Sequence, residues 1–153
     1  MVSKNISYKE ATHSSTAKRL GIDNTPTSDQ FSNMIYVAET VFQPIREHFG
    51  VPIYVSSFFR SEALNKAIRG ASNSSHTKGE AMDLDADVYG IINNADIFNF
   101  VKDNLEFDQL IWEFGDDRCP AWVHISLTKR NNRNQILKAY RVDGKTKYEV
   151  YAG

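Results

Sequence analysis

The chain has a single cysteine, Cys119, among 153 residues, so no intrachain disulfide can staple it. A domain of this length buries roughly 70% of its unfolded surface and needs no staple. It has no apolar run approaching the roughly 18 residues of a membrane span. Its start, "MVSKNISYKEATHSS", lacks the apolar stretch of a signal peptide, which predicts cytoplasmic synthesis without export by that route. It has no excess of charge either. The net charge of −1 argues against general affinity for nucleic acid or acidic membranes. Repeats and low-complexity linkers are missing too. One domain over residues 1–153 is expected, as a monomer.

What is present reads as α+β. Residues 7–29 are polar, with a short helix over Ser15 to Leu20. Thr27 and Gln30 form a capping-box pattern, and Phe31, Met34, Ile35, Ala38, Val41, Phe42 and Ile45 keep helical spacing after it. Pro44 should kink or divide that helix, and Gly50 should close it. "IYVSS" (53–57), "EAMDLDAD" (80–87), "FDQLIWEF" (107–114) and "AWVHISL" (121–127) read as strands. Ser61 caps a short helix ending near Gly70, and "NADIFNFVKDNL" (94–105) is a further helix. Asp143-Gly144 predicts a C-terminal hairpin over about 135–151. Early helices and closely linked late strands predict a small, largely antiparallel sheet with helices packed on it.

The chemistry concentrates in "SSHTKGEAMDLDAD", Ser74 to Asp87. A catalytic zinc site usually takes three protein ligands and leaves one position open. His76 and Asp83 are too far apart to share a helical face, but a loop leading into a strand brings them together. Gly79 permits the turn, and alternation then puts Ala81, Asp83 and Asp85 on one strand face. "WVHIS" offers His124 as a third ligand, within a strand where histidine is unusual. Taken singly, His76 also reads as a loop residue and His124 as a hydrogen-bonded core histidine.

"SSHTKGEAMD" matches S-x-H-x-x-G-x-A-x-D, the motif of the M15 zinc peptidases, the D-Ala-D-Ala carboxypeptidase family. "WVHIS" resembles that family's third-ligand segment, and "VSSFFRSEALN" its upstream arginine segment. "RLGIDN" and "PIREHFG" are similar to the branch found in bacteriophage lysins. The resemblance covers about residues 13 to 128. It implies one Zn2+ held by His76, Asp83 and His124, a fold shared with the Hedgehog signalling domain, and peptidoglycan stem peptides as substrate. It also implies action at the bacterial cell wall if the protein is a phage lysin. An arginine contacts substrate in the family, and here that residue is Arg60. Its guanidinium suits a substrate carboxylate or a developing oxyanion.

One position departs from the pattern. Many members carry a catalytic glutamate three residues before the last histidine ligand, where this chain has Ala121. If 107–114 and 121–127 form a hairpin, Glu113 falls roughly opposite His124 and can serve as the base, with Trp112 and Phe114 turned to the core. A one-residue slip would reverse that assignment. Asp116 and Asp117 are the fallback bases. Ser74 either binds substrate or holds the loop, and Trp122 either walls the cleft or joins the core. Asp85 is either a support for a ligand histidine or a solvated residue. His13 and His48 are expected on the surface. Ala121 also favours a different class of function, a zinc-containing binding or structural module without catalysis.

Overall fold

In the computed structural model, which describes residues 1–153, six strands form one sheet. In chain order they are β1 (Tyr54–Ser57), β2 (Ala81–Asp85), β3 (Gln109–Glu113), β4 (Trp122–Ser126), β5 (Gln135–Val142) and β6 (Lys145–Val150). Across the sheet the order is β1-β2-β4-β3-β5-β6. Every neighbouring pair is antiparallel except β3 and β5, which run parallel. The architecture is therefore α+β with a mixed, mostly antiparallel sheet.

Helices α1 (Tyr8–Thr12), α3 (Ser28–Val37), α4 (Gln43–Phe49) and α6 (Asn94–Asn104) contribute to the core on one face, while the buried residues of the short α2 (Ser15–Leu20) and α5 (Glu62–Ala67) lie outside that core. α3 packs on β2, and α6 packs on β3 and β4. Met82 and Leu84 of β2, Leu110 and Trp112 of β3, and Val123 and Ile125 of β4 point into this layer with Met34, Phe42 and Phe98. The alternate residues of the same strands face the other way.

Thr27 and Gln30 close a reciprocal capping box on α3. Pro44 does not divide the helix that follows. A wide turn over Ala38–Phe42 joins α3 to α4, and Gln43 N–H reaches back to the Ala38 carbonyl. The wider turn relieves the clash that the proline ring would make one turn back, so the chain stays helical to Gly50. Strand β2 stops at Asp85 rather than Asp87, because the Asp85 carboxylate accepts the Asp87 N–H and turns the chain. The N-terminal residues are less peripheral than their polarity predicts. Val2 and Ile6 belong to the core, and α1 adds Ala11.

The parallel pairing positions the last two strands. After β4 the chain passes the end of β3 and lies down on its far side. Buried Asp108 fixes that passage, accepting Arg133 Nε at 3.0 Å, Nη2 at 2.8 Å and the Arg133 N–H at 3.0 Å. The Asp143-Gly144 turn, with φ of 52° and 75°, then returns the chain as β6.

Candidate metal centre and cleft

Ser74 Oγ accepts the His76 N–H at 3.3 Å and starts one turn of 3-10 helix, which ends at Gly79. Gly79 has a φ of +73°, and a Cβ there would stand 2.4 Å from the Gln30 carbonyl oxygen. No other residue fits this close approach of the loop to α3. Gln30 Nε2 and Asn33 Nδ2 of α3 donate to the Thr77 and Lys78 carbonyls and hold the loop there. His76 thus reaches the sheet from a loop clamped on α3. Asp83 and His124 are direct cross-strand partners on β2 and β4.

His76 is 2% exposed, and its Nδ1 lies 2.7 Å from the Phe58 carbonyl. A carbonyl only accepts, so Nδ1 carries the proton. Burial lowers the His76 pKa despite nearby Asp83, which favours the neutral ring. Nε2 is then a lone pair aimed at Asp83 Oδ1, 3.3 Å away. His124 Nδ1 approaches the same oxygen at 3.0 Å. Burial pushes the Asp83 carboxyl upward, but the two histidines more than reverse this and hold it well below the usual carboxylate range. A lone pair facing an ionised carboxylate is repulsive unless a cation lies between them. Ligands of tetrahedral zinc, at 2.0–2.1 Å from the ion, stand about 3.3 Å apart. The three ligand atoms here all lie within 4.8 Å of one another, so the group fits a divalent cation. The backbone hydrogen bond of His76 is the outer support such ligands usually have.

Arg60 sits behind the carboxylate. Its Nη2 is 3.6 Å from Asp83 Oδ2, Nε donates to Ser57 Oγ at 3.2 Å, and Nη1 donates to Asn65 Oδ1 at 3.1 Å. It therefore braces a ligand, and it also lines the cleft above.

That cleft has a volume of about 500 Å³. Glu113 lines it but is not opposite His124. The register pairs Ile111 with His124 and Glu113 with Trp122. The register expected from the sequence is thus off by two residues, not one, and an even slip keeps the face. Glu113 consequently remains beside the centre, diagonal to His124. It is 7% exposed, and no side chain of the protein hydrogen-bonds or ion-pairs with its carboxylate. Burial raises its pKa to about 7, with Asp83 adding to the rise and His124 and Arg60 opposing it.

Other expected placements change. Trp112 is core, as expected, but Phe114 is not. Its φ of 57° reverses the chain and swings the ring over the cleft, 5.2 Å from the Trp122 ring. Trp122 is half-buried and walls the cleft with it. Asp85 contacts neither histidine and instead accepts Asn94 Nδ2 at 3.0 Å. Asp116 caps its own loop, accepting the Arg118 and Cys119 N–H groups, and Asp117 pairs with Lys138. Neither lies in the cleft. His13 and His48 are exposed, the latter stacked on Phe100.

Arg141 and Tyr148, on the C-terminal hairpin, also line the cleft. Sequence reasoning gave them no role. The only local signal was the hairpin itself, and its pairing beside β3 is not local.

A family model described as Peptidase M15 matches residues 4–126. No curated protein matches the chain.

Proposed function

Because the chain belongs to the M15 peptidase family, we propose that it is a zinc-dependent peptidase that hydrolyses amide bonds in peptidoglycan stem peptides. The bond is a D-Ala-D-Ala terminus or an internal L-Ala-D-Glu-type linkage, and the fold is of the Hedgehog and D-Ala-D-Ala peptidase type. The observation that carries this reading is the free Glu113 carboxylate in the same cleft as His76, Asp83 and His124. A structural metal site needs no such unpartnered acid.

His76 Nε2, Asp83 and His124 Nδ1 would hold the ion. Zinc, when bound, lowers the pKa of a coordinated water toward ~7 and polarises a carbonyl. Glu113 takes a proton from the attacking water and delivers it to the leaving amine as the C–N bond breaks. A carboxyl titrating near 7 is suited to both transfers. Arg60 orients Asp83 and, from the wall of the cleft, would steady the substrate carbonyl. Trp122 and the Ser74 hydroxyl contact the peptide. No helix is long and apolar enough to cross a membrane. A lysin of this kind reaches the wall by a phage-encoded release route.

The test measures zinc stoichiometry and then digests purified peptidoglycan, with products identified by mass spectrometry. One zinc per chain and new amino and carboxyl termini are expected. Glu113→Gln should keep the zinc and lower kcat by about 10²- to 10⁴-fold. Full activity in that variant would sink the assignment of the base. The alanine at position 121 favours a second reading, a zinc-containing binding module, and zinc without any new termini would select it.

A further inference from the structure

The matched residues end at 126, yet the cleft does not. Its far wall is the β5–β6 hairpin. The register sets Trp122, Glu113, Ala139 and Tyr148 in one row across four strands. Arg141 lies two residues beyond Ala139 on the same face, opposite Thr146. Adjacent strands are about 4.8 Å apart, so the hairpin side chains stand within a few residues' reach of the metal centre.

The cations of this part of the molecule are not equivalent. Arg133 is paired with Asp108, and Lys138 is paired with Asp117 at 2.6 Å. Arg60 is committed to Asp83, Ser57 and Asn65. Arg141 has no acidic partner. Its guanidinium instead lies over the Phe114 ring, 5.1 Å from the centroid. That ring is there because Phe114 adopts a left-handed backbone, a conformation that is costly for a bulky residue and that recurs at functional sites. A guanidinium placed over a ring and bonded to no acid keeps its N–H fork available to grip a carboxylate through two parallel bonds. Tyr148 stands one row away. Its hydroxyl lines the same cleft, and a phenol is a donor at neutral pH.

We propose that the β5–β6 hairpin carries a recognition subsite for an acidic peptide, in which Arg141 pairs with a substrate carboxylate and Tyr148 donates beside it. This rests on the peptidase reading and adds a substrate preference to it. The metal centre, with Arg60 bracing Asp83, would serve the scissile amide. Arg141 reads an acidic residue further along the same extended chain, with Phe114 as its positioning residue.

The experiment uses two stem-type peptides that differ only in one side-chain group, carboxylate or carboxamide. Hydrolysis of each is measured with the zinc-loaded wild type, Arg141→Gln and Arg141→Lys. Binding of each to zinc-loaded Glu113→Gln, with and without Arg141→Gln, is measured by calorimetry. The wild type should prefer the carboxylate by about 10- to 100-fold in kcat/KM, mainly through KM. Arg141→Gln should reduce that ratio to near one, with unchanged zinc stoichiometry and thermal unfolding midpoint showing that the variant is folded. Arg141→Lys should recover part of the preference. A wild-type ratio near one, or a preference that survives Arg141→Gln, overturns the subsite. Discrimination in binding with no hydrolysis of either peptide keeps the subsite and sinks the peptidase reading. Hydrolysis without discrimination does the reverse.

Discussion

Strands β2 and β4, which carry two of the three ligands, have neighbours on both sides, and most of their residues are buried. Strand β6 has one neighbour, and all six of its residues are exposed. Both border the same cleft. Holding a cation requires side chains fixed by packing and by outer hydrogen bonds, which an interior strand supplies. Reading one of several peptides requires reach more than rigidity. An edge hairpin also opens at lower cost than the centre of a sheet. The chemistry thus sits on the stiffest part of the protein and the proposed recognition on a softer one.

The strongest way to break this division is at the buried end. His76→Ala removes a ligand and the buried ring's hydrogen bond to the Phe58 carbonyl. Zinc affinity should fall by at least about 100-fold, and the metal-free protein should lose only about 1–3 kcal/mol, read by metal titration and chemical denaturation. Near-normal zinc affinity would mean that the centre is not built on His76.

The next test concerns Glu113 and pH. It binds its proton more tightly in the folded protein than in the unfolded chain. Its contribution to stability is therefore present below its unfolded pKa of about 4.5 and is lost as pH rises through about 7. In metal-free protein, Glu113→Gln should be more stable than wild type by about 1–3 kcal/mol above pH 7 and equal to it near pH 4.5. With zinc bound, activity should rise with pH through an apparent pKa no higher than about 7, because the cation draws the carboxylate down. A stability difference that does not change with pH would remove Glu113 from its buried setting.

The smallest effect should come from the soft side. Arg133→Ala removes the fork that ties the start of β5 to Asp108. It should cost about 1–2 kcal/mol and raise hydrogen exchange across β5 and β6, with zinc stoichiometry unchanged. Loss of zinc in this variant would show that the two halves of the sheet are not separable.

The difference between the halves also explains what could be read from the sequence. The ligands were legible because a loop, a glycine and an alternating strand are local patterns. The face of Glu113 was legible because strand parity survives an even error in register, although its partner is Trp122 and not His124. Phe114 was misread because strand alternation was continued one residue too far, into a left-handed turn. Arg141 and Tyr148 gave no signal. Their position depends on β5 pairing in parallel with β3, and that pairing is set by Asp108 and Arg133, which lie 25 residues apart in the chain. The uninterrupted helix through Pro44 was hidden for a similar reason, since nothing in the local sequence announces a widened turn.

Gly79 gives the ligand loop a fixed thickness. With the Gln30 carbonyl 2.4 Å from where a side chain would begin, the loop acts as a shim between α3 and the sheet. The spacing from helix to strand is thereby transmitted to His76, three residues back, and sets how far its ring extends over Asp83. The gap that admits a cation is thus gauged by a backbone contact made outside the cleft. A change on α3 that thickened this contact would alter which ions fit, without touching a single ligand.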